Sequence, residues 1–117
     1  MSKSMDKITR AAAEAAAVGD LAKMRRSPTH PGEIFREDFR LALEPKLSQT
    51  DAAKRLGWTI NRLNEFERGK RGITPENAVM LAKLTGASAE FWMTLQMRYD
   101  LWHAMQETDT SHIKAIA

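Results

Sequence analysis

Residues 48–72, SQTDAAKRLGWTINRLNEFERGKRG, hold two short helix-like runs on either side of a glycine. The second run carries the polar residues Asn61, Asn64 and Glu65, with basic residues around them. Side chains three or four residues apart share a helix face, so these polar groups would stand together on a cationic surround. From residue 46 to 71 there are seven Lys or Arg against three Asp or Glu, a local charge of +4, whereas residues 72–117 carry −2. A local basic patch is the footprint of a polyanionic partner, although a solvated face accounts for a charge run as well.

The chemistry of catalysis is missing. No G-x-S-x-G elbow, phosphate-cradling glycine loop, H-E-x-x-H or calcium-loop spacing occurs. His30, His103 and His112 are far apart in sequence, and there is no cysteine to supply a thiolate ligand or a disulfide. The seven methionines read as adaptable packing. The expectation is therefore a binding protein that is not an enzyme, with no catalytic residues, no metal and no cofactor.

A small helical domain must position these residues. At 117 residues the chain has room for about one domain, and 43% hydrophobic with 28% charged residues suits a globular fold. No apolar run approaches the ~20 residues that span a bilayer, and no signal-type segment opens the chain, so a cytoplasmic location without membrane contact is expected. A first core helix should run from about Pro31 to Leu43, with Ile34, Phe35 and Phe39 inward and Glu33, Arg36, Glu37 and Arg40 outward. Ser48 can cap a second helix that ends near Leu56 before Gly57, and Thr59 a third that runs through Arg68 to Gly69. Thr74 and Pro75 open a fourth helix ending before Gly86, and Ser88 begins the last. No strand-period alternation appears, so the fold should be all-α with about five core helices.

That last helix, residues 89 to about 106, carries a broad apolar arc that includes Met97, Leu101 and Met105. Gln96, Asp100, His103 and Glu107 form its narrow polar strip. One apolar face would pack on the core and the adjoining one on a second copy, or the helix is sunk in its own core. Residues 1–28 read as an N-terminal arm, helical or disordered, with Gly19 as a stop and too few large apolar groups to pack deeply. Its cations Arg10, Lys23, Arg25 and Arg26 could meet DNA phosphate, the arm could order on a protein partner, or it could be a solvated tail. Residues 29–107 form the folded domain and 108–117 a C-terminal tail.

Two helices joined by a tight turn at Gly57, with small Ala53 letting their axes approach, suit a helix-turn-helix that lays one helix in the DNA major groove. An ordinary αα-hairpin shares that periodicity. From His30 to Trp102 the chain resembles the Xre/Cro-type repressors, and more narrowly the HigA-family antitoxins. The matching strings are HPGEIFREDF, LSQTDAAKRLG and INRLNEFERGKRGITPENAVMLAKLTGASAEFWMTLQMRYDLW. GKRGIT, FW, and LQ followed by YDLW are the most specific.

The resemblance implies a five-helix Xre/Cro-like domain with a long C-terminal dimerisation helix. It implies a homodimer that binds double-stranded operator DNA near its own promoter and partners a RelE-like ribonuclease toxin. It places Thr59, Ile60, Asn61, Asn64 and Glu65 toward the bases and Gln49, Arg62, Arg68, Lys70 and Arg71 toward phosphates. Asn can pair bidentately with adenine, Glu can accept from cytosine N4, and an exposed Ile can touch a thymine methyl. A stand-alone regulator of the same fold, or a protein-interaction module, would share much of this sequence. Two residues depart from the family pattern: Trp58, where a smaller aliphatic is usual and which should be core, and Ile60, where a polar residue is usual. If Ile60 packs inward, the recognition helix is rotated from this reading.

Overall fold

The structure, a computed structural model, describes residues 18–117. Among them the architecture is all-helical, with an N-terminal 3₁₀ turn at Val18–Lys23 followed by five helices. Helix α1 is an α turn at Pro31–Ile34 that continues as a π turn at Phe35–Arg40. Helix α2 spans Gln49–Leu56, α3 Ile60–Glu67, α4 Pro75–Thr85 and α5 Ala89–Glu107. No helix among the described residues is long and apolar enough to cross a membrane.

The caps fall where local chemistry puts them. Ser48, Thr59, Thr74 and Ser88 have extended backbones, and each side-chain oxygen accepts the N–H of the residue three positions on. Each satisfies one of the orphan donors of a helix start, worth about 1 kcal/mol. Asn77 completes a reciprocal capping box with Thr74 at the start of α4.

These helices close around one core. Trp92, Phe35, Phe66, Ile34, Leu63, Leu81 and Leu95 are fully buried, each contributing ~1.5–3 kcal/mol from apolar burial. Trp92 of α5 is the hub, with its ring 6.3 Å from Phe35, 5.3 Å from Phe39 and 5.2 Å from Phe91. Trp58 is buried against Phe66 at 5.9 Å, so it belongs to the core as expected.

Helix α1 departs from the expectation at both its length and its phase. It ends at Arg40, three residues short of Leu43, and Leu41 N–H donates to Arg36 O five residues back. A π turn uses more residues per turn than an α turn, so the residues after it fall behind the 100° spacing. Arg40, expected outward, is thereby carried inward and buried.

The arm is also corrected at its C-terminal end. Gly19 lies inside the 3₁₀ turn instead of ending a helix, and Leu21 is buried to 2% exposure. Beyond it, Trp102 Nε1 donates to Met24 O at 3.0 Å, and Ser27 Oγ meets His103 Nε2 at 3.0 Å. Residues 21–27 therefore strap the second half of α5. The expectations for residues 1–17, Arg10 included, lie outside the described residues.

Candidate nucleic-acid interface

The turn between α2 and α3 is set by backbone geometry. Gly57 adopts φ 74°, a left-handed conformation that costs any L-residue, and the turn is closed by Trp58 N–H donating to Ala53 O at 2.9 Å. Ala52 and Ala53 are buried between the helices, and small side chains there let α2 and α3 approach. The chain leaves the turn with Thr59 as the cap of α3, its Oγ1 accepting Arg62 N–H at 3.1 Å. Accepting uses only one lone pair, so the Thr59 hydroxyl proton stays available to donate.

The outer face of α3 is open. Ile60 is 50% exposed, which removes the rotated alternative, and Asn61 beside it is exposed. Asn64 and Glu65 are half-buried one turn further on. Leu63 and Phe66 point into the core. The face thus presents one apolar and three polar side chains, a set that can read base edges.

Cations frame that face unequally. Arg68, Lys70 and Arg71 are exposed at the end of α3 and in the loop after it. Arg71 pairs with Glu65, its Nε and terminal nitrogen 3.1 and 2.9 Å from Glu65 Oε1. With 51% of the Arg71 and 36% of the Glu65 side chain exposed, this pair is worth at most ~1 kcal/mol and readily exchanges for another partner. Arg62 behaves differently from the expectation that grouped it with phosphate contacts. Its guanidinium lies 4.6 Å from the Trp58 ring and donates to Asn77 Oδ1 at 2.7 Å, which braces α3 against the cap of α4.

Beneath the loop lies a polar layer that the sequence did not expose. Arg40 grips Glu67 with two hydrogen bonds of 2.7 Å, and Gln49 Nε2 adds a third to Glu67 Oε1 at 3.2 Å. Gln49, at the start of α2, therefore has its amide engaged within the fold. A polar residue at the end of α3, Glu67, spaced one position past the inward Phe66, was the available clue.

His30 forms the other side of this layer. Its Nδ1 accepts Gly32 N–H at 2.9 Å, capping α1, and its ring packs edge-on against Tyr99 at 4.7 Å. Burial holds its pKa below the ordinary value, Asp100 lifts it in part, and His103 lowers it again. A neutral ring is what the cap requires, because a protonated Nδ1 cannot accept. Gly32 stands so close to α3 that an added Cβ would meet Phe66 O at 1.7 Å.

On α5, Met97, Leu101 and Met105 have 40%, 40% and 46% of their surfaces exposed. They form one stripe at spacings of four residues. Among the described residues no group of three or more His, Cys, Asp or Glu gathers as metal ligands would.

Comparisons with known proteins fit this geometry. The family described as helix-turn-helix, HTH_3, matches residues 39–92. An uncharacterized HTH-type transcriptional regulator of Haemophilus influenzae is 42% identical over 79 residues, 68% of this chain and 72% of that protein. The structure of an addiction module antidote protein of a HigA family from Coxiella burnetii is similar at 35% identity and a TM-score of 0.67, over 79% of this chain and 98% of that one. The Pseudomonas aeruginosa antitoxin HigA, solved with the higBA promoter, is similar at 32% identity and a TM-score of 0.67, over 77% of this chain and 99% of that one.

Proposed function

The chain belongs to the helix-turn-helix family of transcriptional regulators, in the branch of the HigA antitoxins, and from that premise we propose that it binds operator DNA as a homodimer, represses its own operon and neutralises a RelE-like ribonuclease toxin. The observation that carries the DNA reading is the open face of α3, where Ile60, Asn61 and Asn64 are turned to solvent between Thr59 at one end and Arg68, Lys70 and Arg71 at the other. In this reading Thr59, Ile60, Asn61, Asn64 and Glu65 enter the major groove, and Arg68, Lys70 and Arg71 hold the flanking phosphates. Gln49 reaches a phosphate through the free N–H groups at the start of α2, while its amide stays on Glu67. Arg62 acts through the fold, by fixing the tilt of α3.

Dimerisation is proposed through the Met97, Leu101 and Met105 stripe, because an exposed apolar row on a terminal helix suits an isologous contact with its own copy. The toxin assignment rests on the likeness to HigA proteins alone. Regulators without a toxin share the fold, and the similarity to an HTH-type transcriptional regulator favours that as the second reading.

Two measurements test the proposal. Titration against DNA from upstream of its own reading frame, at several salt concentrations, should give a steep negative slope of log affinity on log salt. A flat slope removes the DNA reading. Co-expression with the adjacent small basic reading frame should yield a co-purifying complex; if none forms and the neighbour is not toxic, the stand-alone regulator is the function.

A further inference from the structure

The loop that carries Lys70 and Arg71, anchored in the core by the buried Ile73, is also hydrogen-bonded to α5. Gln96, on α5, is 5% exposed, and its Oε1 accepts Ile73 N–H at 2.9 Å. Its Nε2 donates to Asp100 Oδ1 at 2.9 Å, which fixes the rotation of the amide so that the oxygen faces the loop. The contact is also steric. A Cβ on Gly72 would lie 2.9–3.0 Å from the Gln96 amide, so the backbone approaches there as closely as a glycine permits.

Gln96 has a second neighbourhood. Met97 and Leu101 follow Gln96 and Asp100 by one residue each, which is a rotation of ~100° around the helix. The polar pair that holds the loop thus borders the exposed apolar stripe on the same helix. Gln96 thus links the loop to the helix that carries the stripe.

We propose that Gln96 is a positioning residue for DNA binding: it fixes loop 70–73 to α5, so that the helix bearing the Met97, Leu101 and Met105 stripe also sets where Lys70 and Arg71 stand relative to the phosphates. This rests on the DNA reading above. Gln96 touches no DNA itself. Its effect is on the registration of two cations, and in a dimer on the distance between the two copies of that pair.

Gln96→Leu removes both hydrogen bonds while keeping a side chain of similar bulk. It should keep the wild-type sedimentation behaviour, lose about tenfold in affinity for the upstream duplex, and lower the magnitude of the salt slope by about two, one for each displaced cation. Gln96→Glu combined with Asp100→Asn keeps an acceptor for Ile73 N–H and reverses the donor direction of the second bond, so it should recover affinity to within about threefold of wild type. A Gln96→Leu variant that binds with the wild-type slope overturns the proposal, as does failure of the double variant to recover when both proteins are folded.

Amide hydrogen exchange on the free protein gives a reading that needs no DNA. Ile73 N–H should exchange at least tenfold faster in Gln96→Leu, and Gly72→Ala should accelerate it too by displacing the loop from the opposite side. Unchanged exchange in both overturns the proposal even if the DNA arm is silent. Wild-type protein that fails to bind any upstream duplex defeats the DNA reading instead, and the exchange result then decides whether Gln96 holds the loop.

Discussion

Arg40 and Glu67 face each other through two hydrogen bonds of 2.7 Å, with 9% and 2% of their side chains exposed, and so join α1 to the end of the recognition helix. A buried pair is costly to break because the surviving charge is left without its partner. Glu67→Ala or Arg40→Ala should each lose ~3–5 kcal/mol in urea unfolding, whereas the double replacement Arg40→Met with Glu67→Leu should lose distinctly less than either. A double variant as unstable as the singles would show that the pair contributes more than its own desolvation costs.

Two glycines should fail for different reasons. Gly32→Ala drives a methyl into Phe66 O, a backbone atom that cannot rotate away, so the loss should reach ~1–3 kcal/mol or more and α1 should shift. Gly57→Ala meets nothing within 4 Å and suffers only the left-handed backbone, ~1–2 kcal/mol. Thermal unfolding of the two variants side by side checks the order; a milder effect at Gly32 would contradict the close approach.

Acid should weaken the fold through His30. Because burial depresses its native pKa below 6.5, the unfolded chain takes up a proton there before the folded one does. Its contribution is complete above pH 6.5 and is lost as pH falls from 6.5 through the depressed native value, with a slope of at most about 1.4 kcal/mol per pH unit. His30→Asn keeps a capping oxygen without the titration, so its stability should change less between pH 7.5 and 5. Parallel pH profiles for the two proteins would assign the acid sensitivity to another group.

Base and phosphate contacts separate by specificity. Asn61→Ala should cost ~1–3 kcal/mol on the upstream operator and little on random DNA. Lys70→Ala should weaken both alike and reduce the salt slope by about one. Equal losses on both duplexes for Asn61→Ala would remove it from the groove.

Association is addressed on α5. Leu101→Glu sets a charge in the middle of the exposed stripe and leaves the core untouched, so it should give a folded monomer by sedimentation. Its operator affinity should fall at least tenfold, since two recognition helices must be held ~34 Å apart to read a two-fold site. A variant that remains dimeric would place the interface elsewhere.

What was legible in the sequence was local. Ser48, Thr59, Thr74 and Ser88 announce their helices because capping involves a side chain and an amide three residues away. The outward placing of Ile60, Asn61 and Asn64 came from the family resemblance, with Ile60 left open by its apolar type, and Ile60 is 50% exposed. Arg40 was misplaced because phase was extrapolated across a π turn that no residue type signals. Gln96 was assigned to a polar strip because its acceptor role is toward a backbone amide 23 positions away, and periodicity carries no information about backbone partners. Arg62 was placed toward phosphate by the resemblance, while in the fold it stacks on Trp58 and donates to Asn77.

The strap across α5 bears on the order in which the molecule is completed during synthesis. Met24 and Ser27 leave the ribosome early, yet their partners Trp102 and His103 lie 78 and 76 residues later. At ~5–20 residues per second the early segment waits several seconds for the helix it will bind. The strap can seat only once residues 102 and 103 have emerged. The turn at Val18–Lys23 is thus among the last of the described elements to find its place, and a ribosome that stalls before residue 102 releases a chain in which the segment after that turn lacks its partners on α5.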